Sequence, residues 1–218
     1  MTENAALEIK MSVAKLRLIG GWLCLDFANT IGPYDPETGT IRGEHLHNYA
    51  DLVLWGQIAG ILSESETRYL LDLGEQQPTD AEVILQRAKA LRETIYNIFS
   101  APHYSRLIRP DSLEFLNKTL AEVMPHARII EEHEGQFVWG WATNEIALDR
   151  VLWDVARSAA DLLTSGERLK VRECSSPTCN WLFVDSSKNH HRRWCSMDDC
   201  GNRAKVRKHR QKHQTANA

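Results

Sequence analysis

Apolar positions along the 218-residue chain recur mostly at a helical period. In "NYADLVLWGQIAGI", residues 48–61, Leu52, Trp55 and Ala59 share one face behind Asn48 or Asp51 as cap. "SESE" at 63–66 offers Ser63 and Glu66 as a capping box for a short helix to Leu73, and "TDAE" at 79–82 offers a second box. Behind it Ile84, Ala88, Leu91, Ile95 and Ile98 repeat at helical spacing up to Ser100. Asp111 with Glu114 is the expected cap of a helix carrying Leu113, Leu116, Leu120 and Val123. The clearest stripe, Leu148, Val151, Leu152, Val155, Ala159 and Leu162, predicts a helix from about Thr143 to Thr164, stopped at Gly166.

Two stretches depart from that period. "LRLIGGWLCLDFANTI" at 16–31 is densely apolar around a double glycine and reads as a buried strand entering a turn. In "ARIIEEHEGQFVWGW", Phe137, Trp139 and Trp141 alternate beyond a Glu134-Gly135 turn, the pattern of a β-hairpin. The expected fold class is therefore mainly α with a small antiparallel β component, α+β. It lacks the strand–helix alternation of a parallel sheet. The length suits a helical domain over 1–165 and a small second domain over 166–218.

Charge separates along the same line. Through Glu167 there are 14 Lys and Arg against 25 Asp and Glu, a balance of −11; from Arg168 onward there are 12 against 4, a balance of +8. An acidic body with a basic tail points to an anionic partner for the tail.

Four of the five cysteines fall in that tail. They read C-x4-C at Cys174 and Cys179, then C-x4-C at Cys195 and Cys200, with fifteen residues between the pairs. Paired thiolates of this kind suit one tetrahedral Zn2+, and four of them leave no position open for water, so the ion is structural. His190, His191, His209 and His213 are alternative ligands that the set does not require. Between the pairs, "NWLFVDSSKNHHRRW" reads as two short strands joined by "SSKNHH", which would set the two knuckles side by side. So small a segment buries little core, and metal binding would supply its folding energy. Cys24, in "GWLCLDF", reads as a small core residue.

The last knuckle runs directly into "CGNRAKVRKHRQKH". Gly201 is the expected bend and Asn202 the expected N-cap of a helix with Arg203, Arg207 and Arg210 on one face and Lys205, Lys208 and Lys212 on the next. Alone, these like charges would fray the helix; a metal knuckle fixing its first turn and phosphates neutralising its flanks would steady it. With Arg192 and Arg193 they form the expected nucleic-acid contact set, double-stranded DNA being the partner, and Arg203 or Arg207 the expected reader of guanine.

These residues carry a resemblance. "CNWLFVDSSKNHHRRWCSMDDCGNRAKVRKHRQ" resembles the CGNR zinc-finger family, whose Cys-Gly-Asn-Arg stands here at 200–203. "GGWLCLDFANT", "DLVLWGQIAGIL" and "ALRETIYNIF" resemble the ABATE domain of bacterial stress-induced transcription regulators. The resemblance implies a DNA-binding regulator. The leading reading is a finger for DNA and a body for sensing or assembly, and because one finger makes few contacts, homodimerisation through the body is expected to supply the affinity. The alternative is a zinc-stabilised module that binds protein or RNA.

In the body, Asp26 and Asn29 interrupt an apolar run and Arg92 interrupts a helix face. They are candidates for a small-molecule effector pocket, with an Asp26–Arg92 pair as one arrangement and a structural buttress as the plainer reading. His45 and His47 read as loop residues. No phosphate-binding glycine loop, nucleophile elbow or His–Glu zinc-enzyme motif appears, so an enzyme is not expected. No apolar run approaches a membrane span, and "MTENAALEIKMSVAKLRL" lacks the apolar core of a signal peptide. The expectation is a cytoplasmic protein with no membrane partner.

Overall fold

Within the apolar stretch at 16–31 a short helix forms in place of the expected strand. α1 (Leu23–Ala28) starts where Gly21, at φ +78°, turns the chain, and buries Cys24, Leu25, Phe27 and Ala28. A continuous apolar run does not separate a buried strand from a buried helix, and here both faces of the helix are covered. The computed structural model describes residues 16–32, 34–35, 40–41, 43–142 and 146–216. The signal-peptide reading of residues 1–15 lies outside them.

After a two-residue ladder pairing β1 (Tyr34–Asp35) with β2 (Thr40–Ile41), α2 (Tyr49–Ile58) begins at Asn48. Asn48 accepts from the Asp51 amide while Asp51 reaches back to the cap amide. Ser63 and Glu66 make the same reciprocal box for α3 (Glu64–Gln76). The other two caps differ from expectation. α4 (Pro78–Ser100) and α5 (Pro110–Val123) each begin on a proline, and neither has a side-chain cap. Proline needs no partner for a missing amide and arrives with helical φ, so it takes the role expected of Thr79 and Asp111.

β3 (Ala127–His133) and β4 (Gln136–Trp141) form the expected antiparallel hairpin about Gly135, with Ile129 opposite Trp139. The long stripe forms α6 (Arg150–Thr164), later than expected because residues 146–149 run through a loop and turn; 143–145 lie outside the described residues. Its face is buried from Val151 to Leu162, against α1 and α5.

The chain then makes a 3-10 turn (Gly166–Lys170) into β5 (Val171–Glu173), which pairs antiparallel with β6 (Leu182–Val184). Leu182 and Val184 belong to the same apolar core as Phe27, Leu52 and Trp153. A helical turn (Met197–Gly201) leads into α7 (Asn202–Ala216). Among the described residues no helix is long and apolar enough to cross a membrane.

Candidate metal centre

The two cysteine pairs sit on different local scaffolds. Cys174 and Cys179 lie on the connection between β5 and β6, so the first knuckle is the turn of that hairpin. This corrects the expected pairing of strands across "SSKNHH". Residues 185–194 form no strand, because Asp185 folds them into a loop: its carboxylate accepts from the Ser187 hydroxyl and amide and from the Arg192 amide, at 2.5, 3.0 and 2.8 Å. Cys195 follows the loop, and Cys200 lies in the turn (Met197–Gly201) that opens α7.

Gly201 does not bend the chain. A Cβ there would stand 2.8 Å from the Met197 sulfur and 3.3 Å from the Trp194 ring, so the residue is small because the turn packs tightly beneath it. Asn202 is already helical, at φ −67° and ψ −42°, and is not the N-cap; its side-chain amide donates back to the Asp198 carbonyl at 3.2 Å.

All four sulfurs are buried and lie within 4.8 Å of one another. Cys195 stands 3.6 Å from both Cys179 and Cys200. That is far beyond the ~2.05 Å of a disulfide. It fits the roughly 3.8 Å separation that ~2.3 Å zinc–sulfur bonds impose on a tetrahedron. The donor chemistry agrees: hydrogen bonds from the Cys179 and Cys195 thiols pull Cys174 well down, and the same grouping pushes Cys179 and Cys195 up. Four thiolates therefore need a cation among them to ionise together. The cluster is a site for one structural zinc held by Cys174, Cys179, Cys195 and Cys200. When bound, the ion closes the hairpin turn onto the start of α7.

Several arginines expected to face nucleic acid also make contacts inside this unit. Arg192 donates from Nε to the Trp194 carbonyl at 2.9 Å and from Nη2 to the Cys195 carbonyl, with its guanidinium 4.5 Å over the Phe183 ring. Arg203 reaches Cys200 Sγ at 3.1 Å, and Arg207 reaches the Ser176 hydroxyl at 3.4 Å. Arg193 lies over Trp194 and is exposed, as are Lys205, Lys208 and Arg210; Lys212 continues the helix.

In the body, the three candidate residues have separate partners. Asp26 accepts from the Gly20 amide at 2.7 Å, and burial pushes its carboxyl up to about 6. Arg92 does not pair with it. Both guanidinium amino groups bind Glu44, each at 2.7 Å, and Nη1 also reaches the Thr30 hydroxyl at 3.3 Å. Glu44 lies in a polar loop with no periodic signal, so nothing in its local pattern singles it out. Asn29 spans 153 residues: its amide donates to the Leu182 carbonyl and its oxygen accepts from the Leu182 amide, both at 2.9 Å. The Trp181 indole donates to the Ile31 carbonyl at 3.0 Å, and the Val184 amide to the Gly20 carbonyl at 2.9 Å.

These contacts bound a pocket of about 640 Å³ between the body and the first knuckle. Asn29 and Arg92 line it with Lys89, Tyr96, Cys179 and Trp181; Asp26 does not. Cys24 is the core residue expected, its thiol pushed up to about 12 by burial. His45 and His47 lie in the loop before α2.

Comparison with known proteins gives two family matches and no match to a curated protein. Residues 170–213 match the CGNR zinc finger, which spans all four cysteines and the basic helix. Residues 21–166 match ABATE, described as "Putative stress-induced transcription regulator". A metal-binding thiolate cluster in a finger of this kind, behind a body that fits that model over most of its length, places the chain: it belongs to the ABATE family and carries a C-terminal CGNR zinc finger.

Proposed function

We propose that the protein is a cytoplasmic transcription regulator that binds double-stranded DNA through α7. The observation that carries this reading is the helix itself: a run of exposed cations that starts just after the zinc ligand Cys200. Fifteen helical residues extend about 22 Å, and an α-helix fits the major groove. Arg193, Lys205, Lys208, Arg210 and Lys212 are the residues assigned to phosphate. Arg192, Arg203 and Arg207 complete the basic surface while also contacting the finger.

The division into a body, 1–165, and a finger, 166–218, is part of the proposal. The body assembles a homodimer, which supplies the second finger that useful DNA affinity needs. The pocket beside the first knuckle serves as the effector site. Its volume falls within the ~300–1,000 Å³ usual for small ligands, and its lining joins apolar and aromatic surface to the polar groups of Asn29, Lys89 and Arg92. Arg92 acts there as a buttress, since Glu44 takes both its amino groups. No enzymatic role is proposed.

The test is a titration of duplex DNA at several salt concentrations, with structured RNA as competitor. Four or five phosphates neutralised per finger give a slope of log K against log salt of roughly −4. Lys208→Ala should weaken binding evenly across sequences and make the slope shallower by about one. A flat salt dependence would remove α7 as the contact. Preference for RNA at matched salt would favour an RNA-binding module.

A further inference from the structure

The arginine of the Cys-Gly-Asn-Arg run is placed against the metal site, not simply on the basic surface. Its Nη2 lies 3.1 Å from Cys200 Sγ, within reach of a charge-assisted N–H···S hydrogen bond. The same nitrogen is 3.3 Å from Asp199 Oδ1, one helical turn back. That carboxylate tethers the guanidinium over the sulfur. A cluster sulfur and the carboxylate next to it in the chain thus converge on one side chain.

The charge of the cluster gives this contact a purpose. Four thiolates around one Zn2+ carry a net charge of −2, held in a buried site. Buried anionic charge needs hydrogen-bond donors and countercharge. The Cys195 amide supplies one donor, to Cys174 Sγ at 3.5 Å. Cys200 receives a full positive charge from Arg203. Lys205, Lys208 and Arg210 are exposed to solvent on the same helix, away from the sulfurs.

We infer that Arg203 is a positioning residue of the zinc centre: it stabilises the Cys200 thiolate and locks the first turn of α7 to the metal. The finger's arginines then divide by role. Arg203 holds the metal end of the helix, and the lysines of the same helix remain for an anionic partner. An outer partner of a metal ligand is commonly worth 10–100-fold in metal affinity. Arg203 is half-exposed, 52% for its side chain, so the lower end applies.

The test measures zinc affinity of the full-length protein by competition with a chromophoric chelator, for Arg203→Gln, Arg203→Lys and Lys208→Ala. Expected is a loss of about tenfold for Arg203→Gln. Arg203→Lys should fall between it and the parent, because an ammonium keeps the charge but holds its water more tightly. Lys208→Ala removes one positive charge from the same helix without touching a sulfur and should stay within about twofold. Alkylation of the zinc-loaded protein by iodoacetamide should follow the same order, since a thiolate stripped of its donor is more nucleophilic. The inference is overturned if Arg203→Gln binds zinc as the parent does, or if Lys208→Ala loosens zinc equally. Should Arg203→Gln not fold with excess zinc, Arg203→Lys decides: a several-fold loss supports the inference, and parental affinity refutes it. None of these readouts depends on DNA, so the proposed DNA contact can fail without affecting the result.

Discussion

Replacing Asn29 with alanine removes one side chain and two long-range hydrogen bonds. The Asn29 amide holds both the carbonyl and the amide of Leu182, each at 2.9 Å, and Asn29 and Leu182 are 2% and 0% exposed. Asn29→Ala leaves a buried backbone donor and a buried backbone acceptor unpaired. Each unpaired group costs about 1–3 kcal/mol. Asn29 also lines the pocket, so water can enter and partly replace the amide, which limits the total to about 2–4 kcal/mol. For a chain of this size, about 3 kcal/mol lowers Tm by roughly 6–12 °C. Differential scanning fluorimetry of the zinc-loaded protein measures it. Asn29→Asp provides a sharper comparison, because it keeps the acceptor for the Leu182 amide and sets an oxygen against the Leu182 carbonyl. It should be at least as unstable near pH 7 and recover as pH falls, once the introduced carboxyl is protonated and can donate. A Tm within about 2 °C of the parent for Asn29→Ala would show that this pincer does not tie β6 to the body.

Three further outcomes follow from contacts described above. Chelation of zinc should lower body stability as well as release the finger, because Leu182 and Val184 are part of the body core; far-UV circular dichroism should retain most helix while Tm falls. Retention of the parental Tm after chelation would mean that the hairpin docks without the metal. Asp26 has its carboxyl raised to about 6 by burial, so its contribution to stability is fullest below its unfolded value near 4 and declines as pH rises through 6. Asp26→Asn keeps an acceptor for the Gly20 amide and should flatten the pH dependence of Tm across that window. Arg92→Met should cost about 3–5 kcal/mol, since Glu44 is left half-buried without its bidentate partner; combining it with Glu44→Gln should recover part of that loss, as thermal unfolding of the double variant would show.

The parts of the fold legible in the sequence are those fixed by neighbours a few residues apart. The boxes at Asn48 and Ser63 close over three residues, and the β3–β4 hairpin turns on Gly135 with its alternating aromatics close by. The cysteine pairs also declare themselves by local spacing. What sequence reasoning missed depends on distant partners. The stretch at 16–31 is apolar without a clear period, so its coverage by α4, α6 and β6 decides that residues 23–28 form a helix. β6 pairs with β5 across the first knuckle because Asp185 gathers the residues after it into a loop. Asn29 shows in the sequence only as a polar break in an apolar run, and its partner lies 153 residues away. Arg203 and Lys208 are alike as charges in a string. Only the fold separates the one on a sulfur from the one in solvent.

The strand seated in the body core has a consequence for how the protein is made. α1 is among the first described elements to leave the ribosome, yet Leu182 follows Asn29 by 153 residues. At about 5–20 residues per second, that interval lasts roughly 8–30 s. Throughout it the nascent helices can collapse around Phe27 and Trp55, but the side of α1 that β6 covers stays open and the Asn29 amide has no backbone to hold. A segment synthesised late therefore seals one synthesised 153 residues earlier. A cell short of zinc at that moment would accumulate chains whose helices are formed and whose seam is open, a natural substrate for chaperones and proteases.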